Sequence, residues 1–155
     1  MKKSLNISGI LLLSAVLLFS CDDDIFTPDR IVTDTFRTMY PNAKYIEWEM
    51  KSGYYAAEFI DEGLEKEAWF DKAGSWLLTE TEFERNIPEM IRQAVAATEY
   101  KDWRIDDVDF IEQNDKESFY VVNLEKGRQE RNLYFSESGE LMETEVPKWT
   151  LSSTF

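Results

Sequence analysis

The sequence predicts an α+β fold of two tandem repeats, each one helix followed by a four-stranded antiparallel meander, with the two sheets side by side and the helices on one face. Three observations predict it. Tyr54-Tyr55-Ala56-Ala57-Glu58-Phe59 recurs 65 positions later as Phe119-Tyr120-Val121-Val122-Asn123-Leu124, and Trp69-Phe70-Asp71-Lys72-Ala73-Gly74 recurs at the same offset as Tyr134-Phe135-Ser136-Glu137-Ser138-Gly139. A shared offset for two separate motifs points to duplication of one supersecondary unit. Two proline-led segments carry helical apolar stripes, and each is followed by short alternating segments separated by turn residues. A unit of about 60 residues buries too little surface to stand alone, so the two are expected to share one domain.

The chain opens on Lys2 and Lys3, followed by the apolar run Ile10 to Phe19, which is short for a bilayer span and reads as a signal peptide over 1–20. The run ends Leu18-Phe19-Ser20-Cys21, which resembles the lipobox of bacterial lipoproteins. Cys21 is the single cysteine of the chain. As the lipidation site it leaves no thiol for a disulfide, a metal or a nucleophile. Residues 21–27 form an acidic tether around Asp22-Asp23-Asp24. Such a triplet resembles a surface-export signal in some Gram-negative groups and a retention signal in others, and it also serves as a solvated spacer. Localisation is therefore expected in the cell envelope, lipid-anchored at the outer membrane, with periplasmic and surface display both open.

The domain is expected over 28–146, as repeats 28–84 and 87–146. Pro28 suits a first helical turn, and Ile31, Val32, Thr35, Phe36, Met39 and Tyr40 make one stripe that Pro41-Asn42 stops. Strands follow at Lys44 to Met50, Tyr54 to Ile60, Leu64 to Phe70 and Trp76 to Glu82. Turns at Ser52-Gly53, Asp61-Glu62-Gly63 and Asp71 to Gly74 separate them. In the second repeat Pro88, Ile91, Val95 and Tyr100 answer Pro28, Ile31, Thr35 and Tyr40, and the connection around Asp102 to Asp107 is longer. Strands are then expected at Val108 to Gln113, Ser118 to Glu125, Gln129 to Ser136 and Glu140 to Val146. Pro147 ends the regular part, and the tail 147–155 carries Trp149, Leu151 and Phe155, apolar enough to dock on the body.

Alternation sorts the side chains between two faces. Tyr55, Ala57, Phe59, Ala68 and Phe70, and later Tyr120, Val122, Leu124, Leu133 and Phe135, are expected under the helices. The opposite face would show Tyr45, Glu47, Tyr54, Glu58, Glu67 and Trp69, then Phe119, Val121, Asn123, Asn132 and Tyr134.

Composition narrows the chemistry. With 17 basic and 31 acidic residues the net charge is −14, which disfavours nucleic acid, whose phosphates draw on clustered Lys and Arg. The chain contains no histidine, which removes Ser-His-Asp and Cys-His sites and the commonest zinc ligand. Glu47, Glu58 and Glu67 are a formal carboxylate set for acid/base work, but solvation of a strand face explains them as well. Asp106, Asp107 and Asp109, and Asp61-Glu62, lack the loop pattern that organises calcium. No enzyme activity, cofactor or metal is expected.

The lipobox at Cys21, Pro41-Asn42-Ala43 followed by Ile46 and Trp48, the Tyr54 to Phe59 strand, and Trp69-Phe70-Asp71 ahead of Gly74 resemble PepSY-like lipoproteins, whose fold is related to the β-lactamase-inhibitor protein. The resemblance implies a concave sheet laid over a protruding element of a target, and binding or inhibition, including regulation of peptidases. It carries no catalytic residues. The inhibitor's disulfides have no counterpart here, and nothing points to a β-lactamase as target.

The expected function is a lipid-anchored cell-envelope binding module, an inhibitor or regulator acting through the open face of its sheet on another envelope or extracellular protein. The candidate binding face is Tyr45, Glu47, Tyr54, Glu58, Glu67, Trp69, Phe119, Val121, Asn132 and Tyr134. Large aromatics on an open sheet suit an interface, and they also suit cross-strand pairing. The glutamates bias the face toward basic partners. An accessory subunit of an envelope assembly and a peptide- or glycan-binding lipoprotein are the alternatives, and the oligomeric state is open.

Overall fold

The computed structural model describes residues 26–83 and 86–143. The signal segment, Cys21 with most of the acidic tether, and the tail 147–155 lie outside the described residues. Ten elements follow in order: α1 (Arg30–Met39), β1 (Lys44–Lys51), β2 (Tyr54–Asp61), β3 (Leu64–Phe70), β4 (Trp76–Glu82), α2 (Glu89–Ala96), β5 (Arg104–Gln113), β6 (Phe119–Lys126), β7 (Gln129–Ser136) and β8 (Leu141–Glu143).

The eight strands form one antiparallel sheet in sequence order, β1 to β8. This overturns the expected α+β arrangement of two tandem repeats with their sheets side by side. β4 pairs with β5 from Leu78 opposite Gln113 to Glu82 opposite Asp109, and the flanking Phe83 N–H donates to Val108 O and Asn114 N–H to Leu77 O. The molecule is a single strand-dominated meander with two short helices beside it. The physical reason is that two four-stranded sheets would each leave an unpaired row of N–H and C=O groups at the junction, and joining them satisfies both. Local sequence pattern carries no information about that long-range pairing.

Both helices pack on the same face of the sheet. α1 buries Val32 and Phe36 against Tyr55, Ala57, Phe59, Ala68 and Phe70. α2 buries Ile91 and Val95 against Val108, Val122, Leu124, Leu133 and Phe135. The small Ala57 and Ala68, opposite each other in register, let α1 approach the sheet closely enough for Phe36 to reach four rings. α1 stops where Pro41 restricts Tyr40 to φ −123°, outside the helical region. The Tyr40 hydroxyl is then placed against Thr79 Oγ1, which also accepts from the Trp76 indole N–H at 2.8 Å, so the buried threonine is satisfied.

The first strand of the second half starts earlier than the alternation indicates. Residues 104–107, read from sequence as connection, belong to β5, and a register shift between Ile105 and Asp107 interrupts the two-residue period there. The connection from α2 is correspondingly shorter than expected.

The turn between β3 and β4 locks α1 in place. Asp71 Oδ1 accepts from Ala73 N at 2.9 Å and Ser75 N at 2.8 Å, and Gly74 sits at φ +84° with its missing Cβ position 3.0 Å from Ile31 Cγ1 and 3.1 Å from Ile31 O. Gly74→Ala is therefore expected to cost about 2 kcal/mol, from left-handed strain plus displacement of α1. Gly53→Ala, at φ +89° with nothing within 4 Å, pays the conformational part alone, about 1 kcal/mol. Thermal melts of the two variants measure the difference, and equal shifts would remove the α1 contact as a cause.

Candidate binding face

The face away from the helices is built by cross-strand register. Glu47, Glu58, Glu67 and Glu80 stand directly opposite one another in succession across β1, β2, β3 and β4, and the row continues to Ile111 on β5. The next row runs Ile60, Glu65, Glu82, Asp109, Val121 and Tyr134 from β2 to β7. Opposed like charges destabilise a sheet, so two parallel rows of carboxylates are an electrostatic cost carried by the fold.

Lys51 at the end of β1 relieves part of it. Its ammonium pairs with Glu49, Glu58 and Glu67, at 3.3 Å from Glu58 Oε1, and lies 5.7 Å from the centroid of the Trp69 ring. Burial disfavours the lysine charge, but the bonds and charges of Glu67 and Glu58 outweigh it and hold the pKa above the usual value. Glu49, Glu58 and Glu67 also place carboxylate oxygens within 4.8 Å of one another, a spacing suited to a cation, and Lys51 supplies one. Further along the rows the balance is unfavourable. Burial, then the charges of Glu67, Asp107 and Glu82, raise the Glu80 carboxyl, with Lys51 opposing. Burial, then Glu80, Asp107 and Glu82, push Asp109 up to about 7.

The rows enclose a concavity of about 450 Å³ lined by Tyr45, Ile60 and six glutamates (Glu47, Glu58, Glu65, Glu67, Glu80 and Glu82), with Phe59 and Lys66 contributing to the wall. Lys66 directs its ammonium to Asp61 at 3.1 Å. Tyr45 stands at the wall because the register of β1 slips between Lys44 and Glu47. It adopts φ +54° and its side chain is 80% exposed.

The residues singled out from sequence divide into two groups. Tyr45, Glu47, Glu58 and Glu67 meet at the concavity, and Tyr54 and Trp69 lie beside it, half-buried and opposite Lys51 and Ala56 in register. Phe119 and Tyr134 are on the same side of the sheet but are only 2% and 3% exposed, with ring centroids 6.3 Å apart. They make structure where the sequence reading placed exposed contact surface. Val121 is half-buried between Asp109 and Tyr134, and Asn132 is exposed at the far end.

Sequence reasoning missed Glu65, Glu80 and Glu82, and weighed Asp107 and Asp109 only as calcium ligands, apart from this face. Their signal was present in the alternations Leu64-Glu65-Lys66-Glu67, Thr79-Glu80-Thr81-Glu82 and Asp107-Val108-Asp109. Only the β4–β5 pairing joins them to the glutamates of β1 to β3.

Among the described residues no helix is long and apolar enough to cross a membrane. The model of a family described as beta-lactamase-inhibitor-like and PepSY-like matches residues 53–143. A BLIP-like protein from Bacteroides fragilis is similar in structure at TM-score 0.72, with 39% identity over 80% of this chain and 91% of its own. A DUF2874 family protein from Bacteroides ovatus has TM-score 0.72 and 26% identity, covering 83% of this chain and 97% of its own. A candidate periplasmic protein from Bacteroides eggerthii shares the fold at TM-score 0.70 and 24% identity, over 84% and 99% of the two chains. No curated protein matches the chain.

Proposed function

Because the chain belongs to the PepSY-like, beta-lactamase-inhibitor-like family, we propose that it is a non-enzymatic binding module of the cell envelope that lays the open face of its sheet on another protein and so restrains or regulates it. One observation carries the reading: both helices occupy one face of an eight-stranded sheet, which leaves the other face as a broad surface with a concavity. The exposed Tyr45 and half-buried Trp69 on that face are the residue types that contribute most to protein interfaces. Membrane attachment through lipidated Cys21, a tether over 21–27, a single domain over 28–146 and a tail beyond it complete the proposed layout. The periplasmic description of the Bacteroides eggerthii structure supports an envelope location.

Photo-cross-linking in intact cells tests the face. A benzophenone side chain at Tyr54 is expected to trap a discrete protein partner, and one at Thr38, on the exposed side of α1, is expected to trap none. Equal trapping from both positions, or trapping from Thr38 alone, overturns the reading.

A further inference from the structure

We propose that the open-face concavity receives a lysine or arginine side chain presented by a protruding segment of a protein partner. The inference rests on the reading of the open face as a docking surface and names the chemistry that it selects.

Shape and charge point to this occupant together. Among the described residues the carboxylates of Glu47, Glu65 and Glu80 make no hydrogen bond or ion pair, and the Lys66 ammonium in the wall is already held by Asp61. The carboxylates come from four successive strands spaced about 4.8 Å apart, so the charge extends over about 15 Å. That is too wide to converge on one small ion and suits a long side chain lying across the strands. Ile60 and the exposed Tyr45 ring add apolar surface for a methylene stem, and the glutamates address its charged end. Lys51 shows the same combination within this chain, an ammonium held by Glu49, Glu58 and Glu67 beside the Trp69 ring.

A second, independent observation lies on the same face, beside the concavity. Gln113 is 8% exposed and its Nε2 has no hydrogen-bond partner. Gln113 lies opposite Leu78 on the open face, one same-face step along β4 and β5 from the Glu80–Ile111 pair. A buried donor left unpaired is destabilising. The step is about 7 Å, so this unpaired amide lies next to the carboxylate rows.

Titration of the full chain, observed by amide NMR, tests the inference with three blocked tripeptides, Gly-Arg-Gly, Gly-Lys-Gly and the neutral isostere Gly-citrulline-Gly, and with calcium chloride alone. The expected result is saturable shifts at Glu47, Glu58, Glu67 and Glu80 for the two cationic peptides and none for the citrulline peptide. Glu58→Gln and Glu80→Gln should each weaken binding about tenfold, the loss of one charge-assisted contact. Tyr45→Ala should weaken it by a smaller factor. Equal binding of the citrulline peptide overturns the inference, as does calcium saturating the same amides in preference to either cationic peptide. Cross-linking from Tyr54 reads the face irrespective of charge. Its success with failed peptide binding removes the cationic side chain alone, and its failure removes the docking face.

Discussion

Phe36→Ala is expected to lower the unfolding free energy by about 3–5 kcal/mol, a large share of the 5–15 kcal/mol that holds a domain together. Phe36 is 1% exposed and its ring lies 4.9 Å from Phe59, 5.2 Å from Trp48, 5.3 Å from Tyr40 and 6.3 Å from Phe70. Truncation leaves a void bounded by aromatic rings on a sheet and on α1's own next turn, none of which collapses easily onto a methyl group. Ile31, on the same helix but 56% exposed, is the contrasting position, and Ile31→Ala should change stability by less than about 1 kcal/mol. Urea titrations followed by tryptophan fluorescence and by far-ultraviolet circular dichroism give the comparison. Because β4 and β5 pair, both probes should move together in the Phe36 variant. Separate transitions would show that the two ends of the sheet unfold independently, and a loss under 1 kcal/mol would remove Phe36 as the centre of that core.

The second large effect is on pH dependence. Asp109 is held at about 7 by burial and then by Glu80, Asp107 and Glu82, against the 3.8 usual for an aspartate. A carboxyl whose folded pKa lies above its unfolded value binds a proton on folding. Its stabilising contribution is complete below about 3.8 and is lost as the pH rises through about 7. Glu80 shifts in the same direction, from burial first and then Glu67. The chain should therefore be more stable at pH 5.5 than at pH 8, with Asp109 contributing roughly 1–2 kcal/mol once partial solvent screening is allowed for. Asp109→Asn should gain stability at pH 8 and flatten the profile, because the neutral amide keeps the shape and removes the charge opposite Glu82. Urea midpoints at the two pH values decide the matter. A wild-type midpoint that falls on acidification from pH 8 to pH 5.5 would sink the prediction.

Much of this structure was legible in the chain because the signals are local. Pro28, the Val32–Phe36 spacing and Pro41 define α1 without reference to anything distant, and Asp71 with Gly74 defines the turn that holds it. Sheet topology is a different kind of information. Whether β4 ends one sheet or pairs with β5 depends on hydrogen bonds between residues about thirty positions apart, and no alternation pattern encodes that choice. The error in the fold then propagated to the site. Glu47, Glu58 and Glu67 could be placed on one face from their own strands. Glu80, Glu82 and Asp109 join them only across the β4–β5 junction, which is where the carboxyl shifts are found. Phe119 and Tyr134 had the outward parity of interface residues, but parity reports the side of the sheet and not the depth of burial.

The slip in β1 has a consequence for the protein as a material. A sheet of this length offers its outer strand as a template on which further chains can add, the first step of fibril growth. Here that strand carries Lys44, Glu47, Glu49 and Lys51, and at Tyr45 it turns through φ +54°, so its outer row of amides and carbonyls is out of line for a flat incoming neighbour. The same distortion that sets the tyrosine beside the glutamates thus makes the β1 edge a poor template for a further strand.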